Sequence, residues 1–209
     1  MMCSSIRRRA LLLAAFLAFV LCAAPALGAD NDPAVTRVRA FYDVLLETMK
    51  QAQRTPVRAR YEKLEPAVRA TFDLPAMTRI AVGPAWTTIG PEDQKALLEQ
   101  FGRLTIATYA NRFDGYSGEH FEVDPTIEDR GANRIVHSTL VRPKGDPIAL
   151  NYLFHPVDDG WKATDVYLKG TISELATRRS EFGSLLRSGG PAALIDSLRQ
   201  RADKLLQSA

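Results

Sequence analysis

Apolar positions set the first half of the chain into helical register. Val35, Val38, Phe41, Tyr42, Leu45, Leu46 and Met49 recur at helical spacing and predict an amphipathic helix from Pro33 to about Arg54. Asp32-Pro33 is a cap followed by a proline in the first turn, and Thr55-Pro56 repeats that signal for a second helix ending near Thr71. Tyr61, Leu64 and Val68 form the inward face of that second helix. Asp73-Leu74-Pro75 opens a short third helix with Met77 and Ile80, which Gly83-Pro84 interrupts. Gly90-Pro91-Glu92-Asp93 then starts a longer helix. Leu97, Leu98, Phe101, Leu104, Thr105, Thr108 and Tyr109 mark its inward face, which reaches about Phe113.

After Gly115, Ser117 and Gly118 the apolar period drops to two. His120 to Glu128 predicts a strand, weakened by Pro125, and Asn133 to Arg142 a better one. Pro143-Lys144-Gly145-Asp146 is a turn. Ile148, Leu150, Tyr152 and Phe154 alternate along a third strand. Asp158-Asp159-Gly160 turns it into a fourth that carries Trp161, Val166 and Leu168. Past Lys169-Gly170 the helical period returns, over Ser173 to about Ser188. Gly189-Gly190-Pro191 ends that helix and starts the last, with Leu194, Ile195, Leu198, Ala202 and Leu205. Helices, then strands, then helices predict an α+β fold. Its sheet would be antiparallel, of about four strands, and wrapped by six or seven helices. No repeat or linker divides it.

The N-terminus reads differently. Arg7, Arg8 and Arg9 precede an apolar run from Ala10 to Ala23, and Ala24 to Gly28 offers small residues for cleavage. That run is shorter than the roughly 20 residues a bilayer span needs, so residues 1–28 are expected to be a cleaved signal peptide and 29–209 a single domain. Both cysteines, Cys3 and Cys22, fall in the leader, so the mature chain would hold no thiol for a disulfide, nucleophile or metal site. The net charge of +3 comes from 27 Lys and Arg against 24 Asp and Glu. The three leader arginines account for that excess. A mature chain close to neutral gives no support to a nucleic-acid partner. The expected leader points to export from the cytoplasm, with a periplasm as the expected location.

Candidate chemistry is sparse. His120, His137 and His155 have no metal-ligand spacing, and no nucleophile elbow, phosphate loop or dinucleotide fingerprint occurs. No catalytic residue, metal or cofactor is assigned. Asp158-Asp159 reads as a solvated turn. Asp165, in a half-apolar strand, is open to two readings, a shifted acid or a cap and ion-pair partner. Arg178-Arg179 suits either an anionic partner or a solvated helix face. Phe101, Tyr109, Phe113, Phe121, Tyr152, Phe154, Trp161, Tyr167 and Phe182 supply aromatic surface from mid-chain onward. They can fill a core, or line an apolar pocket with a few polar groups at its mouth.

An ordered set of segments carries a resemblance covering about Phe72 to Leu198. It begins with Phe72-Asp73-Leu74, Ala81-Val82-Gly83 and Trp86, then Gln100-Phe101, Thr108-Tyr109-Ala110 and Tyr116-Ser117-Gly118-Glu119. Val141-Arg142-Pro143, Tyr152, Gly160-Trp161-Lys162 and Asp165-Val166 follow. Arg179-Ser180-Glu181-Phe182, Leu185-Leu186-Arg187, Gly189-Gly190 and Ala193-Leu194-Ile195 complete it. In this set the chain resembles the MlaC family of periplasmic phospholipid-binding proteins, also called the toluene-tolerance auxiliary component of an ABC transporter. The resemblance implies an apolar pocket between sheet and helices and a lipid held by its tails with the head group near the mouth. It further implies a carrier, not an enzyme, ferrying lipid between outer-membrane machinery and an inner-membrane Mce-domain and ABC complex.

On that basis the expected lining is Val82, Trp86, Phe101, Tyr109, Phe113, Leu150, Tyr152, Phe154, Trp161 and Phe182. Arg178 and Arg179 are expected at the mouth or a docking face. The cargo is a phospholipid or a hopanoid-like lipid, and the expected state is a monomer. Many family members carry a tyrosine where this chain has Arg178. That departure is similar to the hopanoid-associated HpnM branch, which would bring an RND-type transporter as partner. The alternative is an interaction module of an envelope complex with a filled core. A small envelope hydrolase built on Asp165 has the least behind it.

Overall fold

A computed structural model describes residues 32–207. The leader expected over residues 1–28, with both cysteines, lies outside the described residues. The chain runs through α1 (Pro33–Gln51), a 3-10 turn (Ala52–Arg54), α2 (Val57–Thr71), α3 (Leu74–Val82), a second 3-10 segment (Gly83–Thr88) and α4 (Pro91–Arg112). Five strands follow: β1 (His120–Arg130), β2 (Asn133–Val141), β3 (Ile148–Val157), β4 (Gly160–Leu168) and β5 (Ile172–Ser173). The last described element is α5 (Glu174–Gln207). The sheet is antiparallel in the order β1-β2-β3-β4-β5, so the fold is α+β as expected. The strand added to the expected four is the two-residue β5, too short to show as an alternating pattern. It pairs Tyr167 with Ser173 and Leu168 with Ile172.

The caps act as the sequence indicated. The Asp32 carboxylate accepts from Ala34 N at 2.8 Å and that of Asp73 accepts from Ala76 N at 2.9 Å, each ahead of a proline-bearing first turn. Pro125 sits on the edge strand, where a missing N–H is tolerated, and the β1–β2 register shifts between Val123 and Ile127. Gly190 has φ 67 and ψ −166, so α5 is two helical stretches meeting at a kink. A left-handed residue followed by Pro191 cannot continue a straight helix.

One face of the sheet is covered by the helices, and the core lies between. Leu150, Tyr152 and Phe154 of β3 point into it, opposite Leu168, Val166 and Ala163 of β4. A bulge between Leu153 and Phe154 shifts that pairing by one residue and leaves Asp165 beside Leu153. At the α2–α3 junction, Phe72 bridges to Ala163 in parallel and Asp73 N–H donates to the Ala163 carbonyl at 2.9 Å. That junction therefore behaves as a further piece of the sheet and drives Phe72 into the core.

Two buried charges close helix ends. The Arg60 guanidinium donates to the Ala110 carbonyl at 2.9 Å, to Thr55 at 2.6 Å and to Ala52 at 3.3 Å. These carbonyls lie at helix C-termini; Ala52 also accepts the Thr55 N–H at 3.2 Å. Asp165 does the complementary job. Its carboxylate accepts from Leu175 N at 3.0 Å and Val166 N at 2.8 Å and takes the Ser173 hydroxyl, and Ser173 Oγ in turn accepts from Ala176 N at 2.8 Å. Of the two readings of Asp165, the geometry realises the cap.

Candidate functional site

The sheet and helices do not close completely. Between β2, β3 and β4 on one side and α4 and the start of α5 on the other lies a cavity of about 420 Å³. Its inner end is aromatic. Phe72, Tyr109 and Tyr152 meet there, with ring centroids 5.7 Å apart for Phe72–Tyr109 and 6.1 Å for Phe72–Tyr152. Phe41 and Tyr42 of α1 back this group: Phe41 lies edge-on to Tyr109 at 5.2 Å and Tyr42 edge-on to Tyr152 at 5.9 Å. The aliphatic wall is Leu140, Ile148, Leu150, Val166 and Leu168. Across from it, Met77, Phe101, Phe113 and Leu175 alternate with two small side chains, Thr105 and Thr108. Both threonine hydroxyls donate back to carbonyls one turn earlier, at 2.9 Å and 2.7 Å, so their methyl groups are left for the cavity.

Polar groups behind the wall are satisfied within the protein. The Tyr42 hydroxyl donates to Ser138 Oγ at 2.7 Å, and Ser138 donates to the Leu150 carbonyl. Burial pushes the Tyr42 phenol up to about 12, against the opposing pull of its Ser138 hydrogen bond. Burial also holds the Tyr109 and Tyr152 phenols above the ordinary range. The cavity therefore presents neutral, apolar surface with no ionised acid or base at its inner end.

Charge is confined to the mouth, where Arg112, Lys169, Glu174 and Arg178 line the opening. They come from the last residue of α4, the turn after β4, and the first two turns of α5. Glu174 and Arg112 are close enough to Tyr109 for their charges to act on its phenol, the first raising it further and the second opposing.

Among the expected lining residues, Phe101, Tyr109, Phe113, Leu150 and Tyr152 face this cavity, and Arg178 stands at its mouth. The other five do not line it. Phe154 is fully buried nearer the opposite end of the β3–β4 hairpin. Trp161 lies at that far end, with the Arg134 guanidinium 4.2 Å above its ring and Asp32 holding Arg134 at 2.8 Å. Phe182 is fully buried edge-to-face against Phe101 at 6.1 Å, about two turns beyond Leu175. Val82 is core at the end of α3, and Trp86 sits in the 3-10 segment, its carbonyl held by Gln94 Nε2 at 2.9 Å. Arg179 points the other way from Arg178 and lies over Gly83.

Sequence reasoning left out Phe72, Ile148, Val166 and Leu168, although Ile148 lies on the same alternating face as Leu150 and Tyr152. It also left out Thr105 and Thr108. Two small residues on an otherwise large-residue helix face were the available signal for a void. Arg112 and Lys169 gave no signal, because only the fold brings them together.

The three histidines are paired with carboxylates away from the cavity. His155 pairs with Asp73 at 2.9 Å, His137 with Glu128 at 3.1 Å and His120 with Glu122 at 3.4 Å, at three separate places. Among the described residues no cluster of His, Cys, Asp or Glu could hold a metal ion, and no helix is long and apolar enough to cross a membrane.

The architecture matches a solved structure of a phospholipid-binding protein from Ralstonia solanacearum, determined in complex with a phospholipid. The TM-score is 0.73 at 23% identity, over 83% of this chain and 99% of that one. At that identity the likeness speaks for the fold. No curated protein matches the chain. The model of the MlaC protein family matches residues 39–200, most of the sequence and all the elements that build the cavity, and the chain belongs to the MlaC family.

Proposed function

We propose that the protein is a phospholipid carrier that performs no chemistry on its cargo. The observation that carries this reading is the cavity: apolar inside, charged only at its mouth, and placed in a fold shared with a protein solved with a phospholipid bound. A methylene needs about the space of a liquid water, roughly 30 Å³. The 420 Å³ therefore takes about 14 methylenes, one acyl chain or the outer parts of two. At ~0.8 kcal/mol for each buried methylene, that is ~11 kcal/mol of gross transfer free energy, enough to hold a lipid out of water after the cost of association.

The mechanism is physical. Tails enter the cavity, the Phe72–Tyr109–Tyr152 group ends it, and the head group stays at the charged opening. The export leader read in the sequence supports a periplasmic location. There the carrier would work as a monomer, moving lipid between outer-membrane machinery and an inner-membrane transporter of the Mce-domain and ABC type, or of the RND type. A hopanoid-like cargo is the variant of this reading motivated by Arg178.

Native mass spectrometry of the purified protein tests it. A co-purifying lipid mass, or uptake from phospholipid vesicles, is expected. A protein that stays empty after incubation with vesicles overturns the proposal.

A further inference from the structure

The mouth has an imbalance of charge that the apolar cavity does not require. Arg112, Lys169 and Arg178 line it against one acid, Glu174. Among the described residues, neither the Arg112 guanidinium nor the Lys169 ammonium makes a side-chain hydrogen bond or ion pair. Arg178 reaches Glu181 at 3.4 Å, but Glu181 also takes Arg201 at 3.1 Å and lies outside the cavity lining. The Arg178 side chain is only 20% exposed. It therefore stands between solvent and apolar wall, where a charge interaction is screened less than on an open surface.

Lys169 adds a second observation. It is the only non-glycine among the described residues with positive φ, at 52, in a turn whose next residue, Gly170, has φ 79. A lysine gains nothing locally from the left-handed conformation, which costs it about 1–2 kcal/mol relative to a right-handed one. The turn nevertheless holds it at the cavity opening, on the opposite side from Arg112.

We propose that Arg112, Lys169 and Arg178 form a seat for the phosphate of the cargo, and that this seat makes the protein prefer lipids whose head group is net negative over zwitterionic ones. The inference rests on the carrier reading and adds the head-group class. Arginine offers a fork of donors that fits phosphate oxygens, and lysine supplies a compact point charge. A phosphodiester at the opening meets three cations. An ammonium group there meets one carboxylate, Glu174, and is repelled by the rest. An anionic head group thus keeps the whole attraction, and a zwitterionic one loses part of it.

The test offers the purified protein vesicles of phosphatidylcholine alone, phosphatidylglycerol alone, and an equimolar mixture, with occupancy read by native mass spectrometry. From the mixture the phosphatidylglycerol adduct should dominate. Arg112→Gln, Lys169→Gln and Arg178→Gln should each reduce the excess by about twofold to fivefold, the span of surface ion pairs, since Arg112 and Lys169 are exposed and Arg178 half-buried. Glu174→Gln should increase it, and added salt should erode it. Equal occupancy by the two lipids, or a preference unmoved by all three cation variants, overturns the seat and leaves the carrier intact. Empty protein with every vesicle overturns both. Inorganic phosphate at constant ionic strength should not abolish the preference; if it does, the cations bind a free anion and the head-group assignment falls.

Discussion

The double substitution Thr105→Phe, Thr108→Phe separates a cavity from a core. Both threonines face the void from α4, and both hydroxyls already bond to helix carbonyls that have their own N–H partners. Their removal strands no buried acceptor. Each change replaces a methyl and a hydroxyl by a phenyl ring. With ~30 Å³ for each added carbon, the pair removes on the order of 200 Å³, about half of the 420 Å³ available. About seven methylenes of cargo lose their place, a gross loss of ~5–6 kcal/mol. That is a ceiling near ten-thousandfold in affinity. A displaced chain recovers part of it at the mouth, so a loss of at least about a hundredfold in lipid uptake is expected. Stability should move the other way. Phenyl rings entering an empty apolar space bury surface without displacing neighbours, and helix propensity is nearly unchanged. The assay pairs thermal melting followed by circular dichroism with uptake from vesicles. A held or raised Tm together with lost uptake supports the cavity. A Tm lowered by over-packing, worth about 1–3 kcal/mol, would mean that the space is filled in the native protein. Unchanged uptake would place the lipid elsewhere.

Two further outcomes follow from the polar groups around the cavity. Asp165→Ala removes the acceptor for Leu175 N and Val166 N and the partner of Ser173, so it should cost about 1–3 kcal/mol in urea unfolding, while Asp165→Asn, which keeps one acceptor oxygen, should cost less; equal stability of Asp165→Ala and wild type would refute the cap. Tyr42 has a folded pKa of about 12 against an unfolded value of about 10, so it stabilises the fold fully below pH ~10 and loses that contribution as pH rises toward its folded value. Tyr109 and Tyr152 shift the same way. Tyrosinate absorbance from these buried phenols should therefore appear together with loss of circular dichroism at alkaline pH, and ionisation in a still-folded protein would contradict the burial.

Periodicity made most of the frame legible. The switch from a spacing near 3.6 to two and back located the helices and strands, and Asp32-Pro33, Asp73-Leu74-Pro75 and Gly189-Gly190-Pro191 marked ends that the structure uses. The bulge between Leu153 and Phe154 left one trace in the sequence, the change of apolar parity between Trp161 and Val166, and that alone does not place it. That single shift of register decides which β4 residues face inward and frees Asp165 to cap α5. The cavity was legible only in part. Large aromatics bury well, and Phe154 and Phe182 are fully buried, so they fill core rather than line space. A void is made where a small residue stands on a buried face. Thr105 and Thr108 carried that information, and the preference for large residues hid it.

The placement of the polar ties explains why the space stays open. A void in an ordinary core is lost when its walls relax toward one another, and its cost falls as the site collapses. Here both walls are fixed at their ends by interactions that collapse would break. Arg60 holds the last turn of α4 through the Ala110 carbonyl, and Asp165 holds the first turn of α5 through Leu175 N. Asp73 and His155 tie the α2–α3 junction to β3, and Arg134 ties β2 to the start of α1 through Asp32. For α4 to move inward over Thr105 and Thr108, Arg60 would have to leave a carbonyl unpaired, at about 1–3 kcal/mol for a buried group. For the start of α5 to move, Asp165 would have to give up two backbone donors. The frame therefore resists closure with groups outside the cavity, while the cavity lining stays apolar and free of them. A lipid that enters fills contacts the empty protein leaves unmade, and it displaces none of the bonds that define the fold.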